Sequence, residues 1–273
     1  MIGLPNIKFT NDENNFGNLV LQNLGVSKNQ KFICFDLRDS GYFDALNLPN
    51  IRDSYRDSQL KNYLLAIEYL TNKDYCVLKM GKKSNQKLPK NLNQKIIDYA
   101  ASDFQSDFMD LYLAANAKFY ISGGSGLNAL PSIFRTPIVC VNMVPPGYAI
   151  SFRYSTLAIF KHYYSNKLER ELSFREIFES SLCHALDSKD FEEANINLIE
   201  NSAEEIFGVV KEMEMRVTNS FPIKSEDEEL RNKFRNIFPS NKLDPVTGKK
   251  LHGEIRFNYG LDELKKKKEW LSS

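Results

Sequence analysis

The sequence has few of the residues that metal centres and membrane segments require. It contains only three histidines and four cysteines in 273 residues, and no two cysteines form a C-x-x-C pair. Zinc centres usually hold four such ligands at short spacings, so none is expected here. No apolar run approaches the roughly 18 residues of a membrane-spanning helix. The N-terminus also has no basic-then-apolar signal pattern.

An excess of one charge is also missing. Lys and Arg number 36 against 35 Asp and Glu, which gives a net charge of +1. Nucleic-acid-binding proteins usually carry a basic excess or stripe, so no nucleic-acid partner is expected. Cys34, Cys76 and Cys140 lie inside apolar runs, where free cysteine acts as a small core residue. Unpaired thiols fit a reducing compartment, and we expect a cytoplasmic protein.

Alternating strand and helix patterns run through the first half of the chain. Short β-rich runs lie at residues 31–37 and 75–80, and helical spacings lie at 57–73 and 107–117. A strand–helix–strand pattern follows at 119–142. This alternation predicts an α/β fold, a Rossmann-like and mostly parallel sheet with helices on both faces.

Helical patterns dominate the second half. Residues 155–164 predict one strand, and residues 173–186 predict a helix. Two more helices are expected at 202–219 and 225–238. Each opens with a serine that is followed three residues later by a glutamate, the pattern of a capping box.

We expect three parts along the chain. Residues 1–30 form an N-terminal segment or linker, and residues 31–240 form the Rossmann-like domain. Residues 241–273 form a loop and a Lys-rich helix that pack back on it. The four lysines of "LKKKKEWL" are typical of a solvated helix face. They would also allow weak attraction to an anionic bilayer, about 1 kcal/mol per lysine, so contact with the inner membrane face is an expectation.

A glycine cluster joins the predicted strand at 119–122 to a helix. Gly124 to Ala129 match G-x-G-x-x-A, which is a weak dinucleotide fingerprint. That fingerprint needs an acidic residue where the next strand ends, but "PIVCVN" ends in Asn142, so NAD is disfavoured. Two interpretations remain open. The turn amides hold an anion, or the turn needs glycine only for its unusual φ.

Charged residues follow the first predicted strand, in "FDLRDSGY". In a parallel sheet they lie on the same rim as the glycine cluster. The planar group of Arg38 suits a diphosphate, and Asp39 could accept a proton. The alternative is a solvated loop that contains an Arg–Asp pair.

Two other polar segments have simple alternatives to a functional role. Ser106 and Asp107 precede a helix, which indicates N-capping unless they also face the same cleft. Lys161 and His162 fit an exposed strand edge or contact with a phosphate. "HGEIR" at 252–256 is typical of a surface loop.

Taken in order, these segments resemble a bacterial glycosyltransferase family that is tied to surface-polysaccharide and lipopolysaccharide gene clusters. The resemblance runs from about Lys31 to the C-terminus. It rests on "CFDLRDSGY", "YRDSQLKNYLLAIEYLTNKDYCVLKMG", "IIDYAASDFQSDFMDLYLAANAKFYISGGSGLNALPSIFRTPIVCVNMVPPGY", "KHYY", "ELSFREIF" and "LHGEIR". It implies a metal-independent transferase of GT-B type, without a cofactor, whose C-terminal Rossmann-like half binds a nucleotide-sugar donor.

The resemblance also implies site residues and partners. Among the acidic candidates for catalysis it favours Asp39, with Asp36 second. The implied donor-binding residues are Arg38, Tyr55, Arg56, Ser106, Asp107, Ser122, Gly123, Gly124, Ser125, Gly126, Leu127, Lys161, His162 and Glu254. The implied partners are a nucleotide-sugar donor and a glycan or lipid-linked acceptor.

The sequence departs from the family in two places. The family commonly has histidine two residues before the strand-end arginine, whereas Asp36 stands there in this chain. The family also carries a further N-terminal region of domain size, and only about 30 residues precede the first strand here. Three interpretations stay open, a short variant, a fragment, or a donor-binding half that needs a partner chain or domain to supply the acceptor half. A sugar-nucleotide epimerase and a catalytically inactive nucleotide-sugar-binding scaffold stay open as alternatives.

Overall fold

The computed structural model describes residues 5, 7–48, 54–82 and 84–271. Its strands, in chain order, are β1 (Phe32–Phe35), β2 (Cys76–Lys79), β3 (Ile96–Ile97), β4 (Tyr120–Ser122), β5 (Ile138–Met143), β6 (Thr156–Phe160), β7 (His162–Ser165), β8 (Arg170–Glu171), β9 (Ile196–Ile199) and β10 (Asn258–Tyr259). Its α-helices are α1 (Asn11–Asn23), α2 (Gly41–Ala45), α3 (Leu64–Asn72), α4 (Asp107–Asn116), α5 (Ala129–Phe134), α6 (Phe174–Glu179), α7 (Ser188–Glu193), α8 (Ala203–Val217), α9 (Ser225–Ile237) and α10 (Leu261–Lys266). Turns of 3₁₀ helix lie at Ser54–Arg56, Leu60–Tyr63, Tyr99–Ala101, Gly126–Asn128, Pro146–Tyr148, Ser181–His184 and Lys268–Leu271.

Seven strands form one parallel sheet in the order β10-β6-β5-β4-β1-β2-β3. From β1 the chain builds outward through β2 to β3, then returns to the other side of β1 as β4. The order therefore reverses between β1 and β4, which is a topological switch point. Ligands of open α/β sheets bind outside the carboxyl ends of the strands at such a point. The predicted Rossmann-like parallel sheet is confirmed.

Both faces of the sheet are covered. Ile33 and Phe35 of β1 belong to one apolar core, which also contains residues of α3 and α8. Phe32 and Cys34 point to the other face, into a core with residues of α1 and α4. Burial on both faces explains why β1 is a continuous apolar run rather than an alternating one. The prediction of helices on both faces is confirmed.

The strand predicted at 155–164 is two strands in different sheets. β6 joins the parallel sheet, whereas β7 pairs antiparallel with β8 and β9. Lys161 lies between them, and its buried Nζ donates to the carbonyl of Asp57 at 2.6 Å. An apolar pattern shows which residues are buried, but it does not show where a chain changes its strand partner. The prediction of one strand is therefore wrong.

Helix ends show which capping predictions hold. Ser202 precedes α8 and exchanges hydrogen bonds with Glu205, so the predicted capping box is confirmed. Ser225 is instead the first residue of α9, and the N-cap residue Lys224 makes no side-chain capping bond. The second predicted capping box is therefore wrong.

The N-terminal helix α1 begins at Asn11. Thr10 and Glu13 form a capping box there. Val20 and Leu21 pack into the second core, so this part of residues 1–30 rests on the sheet. The division of the chain into three parts stays a prediction.

Some of the C-terminal lysines form ion pairs, which a fully solvated helix face would not require. Lys265 pairs with Asp227 of α9 at 2.8 Å, and Lys267 approaches Glu171 of β8 at 3.5 Å. Pairing with acidic residues reduces the charge that a bilayer could attract. Among the helices of the described ranges, none has the length and apolar content needed to span a membrane. Contact with a membrane surface stays a prediction.

Candidate functional site

A pocket of about 420 Å³ lies at the switch point, and we call it the switch-point pocket. Its walls come from the carboxyl ends of β1, β2 and β4, and from α2 and α4. The lining residues are Asp36, Leu37, Arg38, Asp39, Tyr42, Phe43, Lys79, Met80, Gly81, Lys82, Ser84, Asp110, Ser125, Gly126 and Leu127. The structure thus brings the predicted strand-end charges and the glycine turn (residues 123–126) into one cavity.

Asp36 lies behind the glycine turn and is 1% exposed. The amide of Gly123 donates to its backbone carbonyl at 3.1 Å and to its Oδ1 at 3.0 Å. Burial raises the pKa of Asp36 to about 6, although Gly123, Tyr120 and Ser125 favour the charged form. The inner side of the turn therefore faces a carboxylate, which would repel a phosphate placed there.

Two further amides of this region donate hydrogen bonds to the hydroxyl oxygens of neighbouring serines. Gly124 donates to Ser122 Oγ, and Leu127 donates to Ser125 Oγ, both at 3.2 Å. Gly124 has φ +84°, so the requirement for an unusual backbone angle is confirmed. Gly126 lines the pocket and takes no part in these hydrogen bonds. Binding of phosphate by the turn stays a prediction.

Arg38 and Lys161 meet around one residue, Asp57. Arg38 Nε lies 3.6 Å from Asp57 Oδ1, and its guanidinium lies 5.3 Å from the centre of the Phe43 ring. Lys161 reaches the carbonyl of Asp57, as described above. Burial lowers the pKa of Lys161, while Glu200 and Asp57 act in the opposite direction. These two predicted cations therefore lie near each other around Asp57, and of the two only Arg38 lines the switch-point pocket.

Tyr55 and Arg56 lie next to this cluster rather than in the pocket wall. Tyr55 is buried against Phe191, with ring centres 5.3 Å apart. The guanidinium of Arg56 lies 5.8 Å from the centre of the Tyr55 ring. Their predicted contact with a donor is not tested by this placement.

Asp39 accepts four hydrogen bonds. Its Oδ1 accepts from the amide of Gly41 at 2.9 Å. Its Oδ2 accepts from Ser84 Oγ at 2.7 Å and from the amides of Asn85 and Gln86 at 3.0 and 3.3 Å. The carboxylate thus holds the loop after β2 against α2. A general base needs a lone pair that faces the substrate, so this geometry favours a positioning role, and catalysis by Asp39 stays a prediction.

Ser106 and Asp107 lie at the start of α4 and do not line the pocket. Ser106 Oγ accepts from the amide of Met109 at 3.3 Å, so the N-capping interpretation is confirmed. Asp107 pairs with Lys82, which lines the pocket. Contact of Ser106 and Asp107 with a donor stays a prediction.

His162 and Lys161 point to different neighbours although they are adjacent in sequence. His162 Nδ1 lies 3.1 Å from Glu171, and its Nε2 lies 3.0 Å from Glu205. Lys267 Nζ lies 3.0 Å from the same Nδ1. The structure therefore places His162 in a charged cluster between the antiparallel sheet and α8. It does not bring the side chain into the wall of the switch-point pocket.

This cluster predicts a loss of stability in alkali. Burial lowers the pKa of His162, but hydrogen bonds to Glu171 and Glu205 outweigh it and raise the value to about 9. The protonated His162 therefore stabilises the folded state fully below the unfolded pKa near 6.5. This stabilisation is lost as the pH rises from 6.5 through 9. We expect the free energy of unfolding, measured in urea, to fall between pH 7 and 9. The variant His162→Gln should show a flatter profile over that interval, and an equal slope in both proteins would contradict the assignment.

Glu254 lies far from the carboxyl ends of the strands. It is exposed and pairs with Arg256 at 2.9 Å. The amide of Arg256 donates to the carbonyl of Ser151, and both residues precede neighbouring parallel strands, β10 and β6. Parallel strands start at the same edge, so this loop lies at the amino edge of the sheet. The structure does not join Glu254 to the pocket.

Sequence reasoning missed three charged residues of the pocket wall, which are Lys79, Lys82 and Asp110. Lys79 ends β2, and its buried Nζ donates to the carbonyl of Gln86 at 2.6 Å. The rule that singled out Arg38 would also have found Lys79, because both follow an apolar strand. Asp110 is buried within α4, and burial raises its pKa. No local pattern marks Asp110, because its burial depends on how α4 packs.

Comparisons with known proteins leave the family open. No protein-family model matches the chain, and no curated protein matches it. Among solved structures, it is similar to a crystal structure of the dodecameric iron-containing heptosyltransferase TibC in complex with ADP-D-beta-D-heptose. The match has 13% identity and a TM-score of 0.39, and it covers 70% of this chain and 47% of that chain. Across residues 5, 7–48, 54–82 and 84–271, no three His, Cys, Asp or Glu side chains are grouped so as to hold a metal ion.

Proposed function

We propose that this chain binds the nucleotide-sugar donor of a GT-B-type glycosyltransferase that acts on a surface-glycan or lipid-linked acceptor. One observation carries the proposal, the switch-point pocket itself. The pocket lies where ligands of doubly wound sheets bind, and its volume falls within the range of small-molecule sites. The family resemblance of the strand-end and glycine-turn segments supports the same function.

The rim of the pocket supplies groups that suit a diphosphate. Arg38 offers a planar pair of donors, and Lys82 adds a positive charge that is half exposed to solvent. Gly126 of the glycine turn lines the same cavity. In glycosyl transfer, negative charge builds on the leaving diphosphate. Fixed positive groups aimed at it lower the barrier, and the proposal requires no metal or cofactor.

Apolar side chains complete the pocket. Tyr42 and Phe43 of α2 line the cavity together with Met80 and Leu127. Flat apolar walls with a few polar groups are typical of sites that bind a nucleobase or a sugar ring. The arrangement therefore suits a ligand with one apolar part and one strongly charged part.

The hydrogen bonds of Asp39 favour a second candidate function. Oδ2 of this predicted catalytic residue holds the loop after β2, and its Oδ1 accepts from the amide of Gly41 in α2. A protein that binds a nucleotide sugar without transferring it would have the same pocket and need no base. Release of nucleoside diphosphate on addition of an acceptor separates the two functions, because the binding protein releases none.

Replacement of Arg38 by alanine tests the proposal. Loss of a charge-assisted hydrogen bond costs about 1.5–3 kcal/mol, so donor affinity should fall about 10- to 150-fold. A thermal-shift scan of UDP-, GDP-, ADP- and CMP-sugars selects the ligand, and calorimetry measures the affinity.

Arg256→Ala is the matched control, because this exposed arginine lies at the opposite edge of the sheet. It should bind the donor as the wild type does. Unchanged affinity in Arg38→Ala would refute the role of Arg38. The absence of binding by any sugar nucleotide would refute the proposed function.

A further inference from the structure

We propose that Asp36 and Asp110 form an acceptor floor in the switch-point pocket, which binds a ligand group with two hydrogen-bond donors. An amino-bearing nucleobase and a sugar diol both have this chemistry. The phosphates then lie at the rim, away from the inner side of the glycine turn. The inference rests on the proposed function, since it concerns the ligand of the same pocket.

Unpartnered buried oxygens carry the argument. Asp36 is 1% exposed and Asp110 is 4% exposed, and both line the pocket. Asp36 Oδ2 and Asp110 Oδ1 are shielded from water and form no hydrogen bond of normal geometry with any residue that the structure describes. Tyr120 and Ser125 lie near Asp36 and favour its charged form, and Tyr99 does the same for Asp110, but none of them completes a hydrogen bond of normal geometry to these two oxygens. Buried carboxylate oxygens without such a bond are rare in folded proteins, and donors from a bound ligand would satisfy them.

The other oxygen of each carboxylate is held by the protein. Asp36 Oδ1 accepts from the amide of Gly123 at 3.0 Å, and Asp110 Oδ2 accepts from Gln105 Nε2 at 3.1 Å. These bonds fix the orientation of both carboxylates in the absence of a ligand. A floor oriented in advance binds donors with little loss of side-chain entropy.

Charge is distributed unevenly along the pocket. The two buried carboxylates lie on the inside, whereas Lys82 lies at the rim with half of its side chain exposed. A phosphate at the floor would face two like charges, and a phosphate at the rim faces Lys82 and Arg38. The ligand should therefore enter with its donor-bearing end first.

The donor pattern of the bases makes the inference specific. Guanine presents a ring N–H and an amino group side by side, which matches one carboxylate or a neighbouring pair. Adenine and cytosine present an amino group, with an acceptor beside it. Uracil presents one N–H between two carbonyl oxygens, and those oxygens would face the carboxylates. A nucleobase at the floor should therefore be guanine before adenine or cytosine, with uracil last.

Calorimetry of the full chain with GDP, ADP, CDP and UDP tests the floor, because these ligands carry the same diphosphate. If the base occupies the floor, GDP should bind at least ~10-fold more tightly than UDP, since a site built for donors rejects analogues that lack them. If a sugar diol occupies it, the four diphosphates bind alike and their hexose-bearing forms bind more tightly. Either preference should disappear in Asp36→Asn and in Asp110→Asn.

Asp74→Asn is the matched control, because this exposed carboxylate pairs with Lys95 and precedes β2, at the opposite edge of the sheet from the pocket. It should leave the preference intact. Urea unfolding of each variant shows that it folds, and the two floor variants are tested separately. Retained preference in both, or tighter binding of all four diphosphates in Asp36→Asn, would overturn the acceptor floor while the proposed function stands. If the wild type binds no nucleotide or nucleotide sugar, both proposals fail.

Discussion

Gly123→Ala is expected to lower the free energy of unfolding by about 1–3 kcal/mol and to abolish binding in the switch-point pocket. A Cβ atom at this position would lie 2.6 Å from the hydroxyl of Tyr63, 2.9 Å from Leu37 Cα and 3.0 Å from the carbonyl of Asp36. Two of these atoms are backbone atoms that follow β1, so they cannot move aside as a flexible side chain would. The turn must shift, and the hydrogen bonds between Gly123 and Asp36 would be lost. Urea unfolding and calorimetry with the selected nucleotide measure the two effects.

Neighbouring glycines provide matched controls for this result. A Cβ at Gly126 would have no heavy atom within 4 Å, so Gly126→Ala should change stability little or raise it by up to about 1 kcal/mol. Gly124 has φ +84° and open space around it, so alanine there should cost about 1–2 kcal/mol through backbone strain alone. Equal losses at Gly123 and Gly126 would show that close approach to the end of β1 is not the cause.

The main sheet could be predicted because its signals are local. β1 is a short apolar run that is buried on both faces, and the helices between the first strands carry their own apolar spacing. Parallel strands place their carboxyl ends on one edge, so Arg38 and the glycine turn were expected together. The shared pocket follows from that rule. The ligand of the turn amides could not be predicted, because the sequence does not show that the carboxylate of Asp36 lies next to them.

The peripheral elements depend on contacts that are distant in sequence. β10 has two residues, and its parallel pairing with β6 places the Glu254 loop at the amino edge. Lys161 and His162 separate because the chain leaves one sheet and enters another between them. Asp110 lies in an ordinary helical pattern, and only the packing of α4 buries it. Each of these outcomes is decided by tertiary packing, which periodicity does not record.

Arg231→Met is expected to cost about 3 kcal/mol of unfolding free energy, near the lower end of the range for breaking a buried ion pair. The side chain of Arg231 is 1% exposed and lies 3.0 Å from Glu212, which is 5% exposed. Glu212 also accepts from the amide of Leu261 at 2.7 Å, so this pair joins α8, α9 and α10. Loss of the guanidinium leaves a buried carboxylate, but Arg216 still pairs with it at 2.9 Å, which limits the cost.

The double variant Glu212→Gln with Arg231→Met separates loss of attraction from burial of an unpaired charge. A glutamine carbonyl can still accept from Leu261, and no buried carboxylate remains, while the partly exposed Arg216 can be hydrated. The double variant should therefore be more stable in urea than Arg231→Met alone. Arg175→Met removes an exposed pair with Glu179 and should change stability by no more than about 1 kcal/mol. If the double variant were less stable than Arg231→Met, the packing of the arginine side chain, rather than charge compensation, would hold the three helices together.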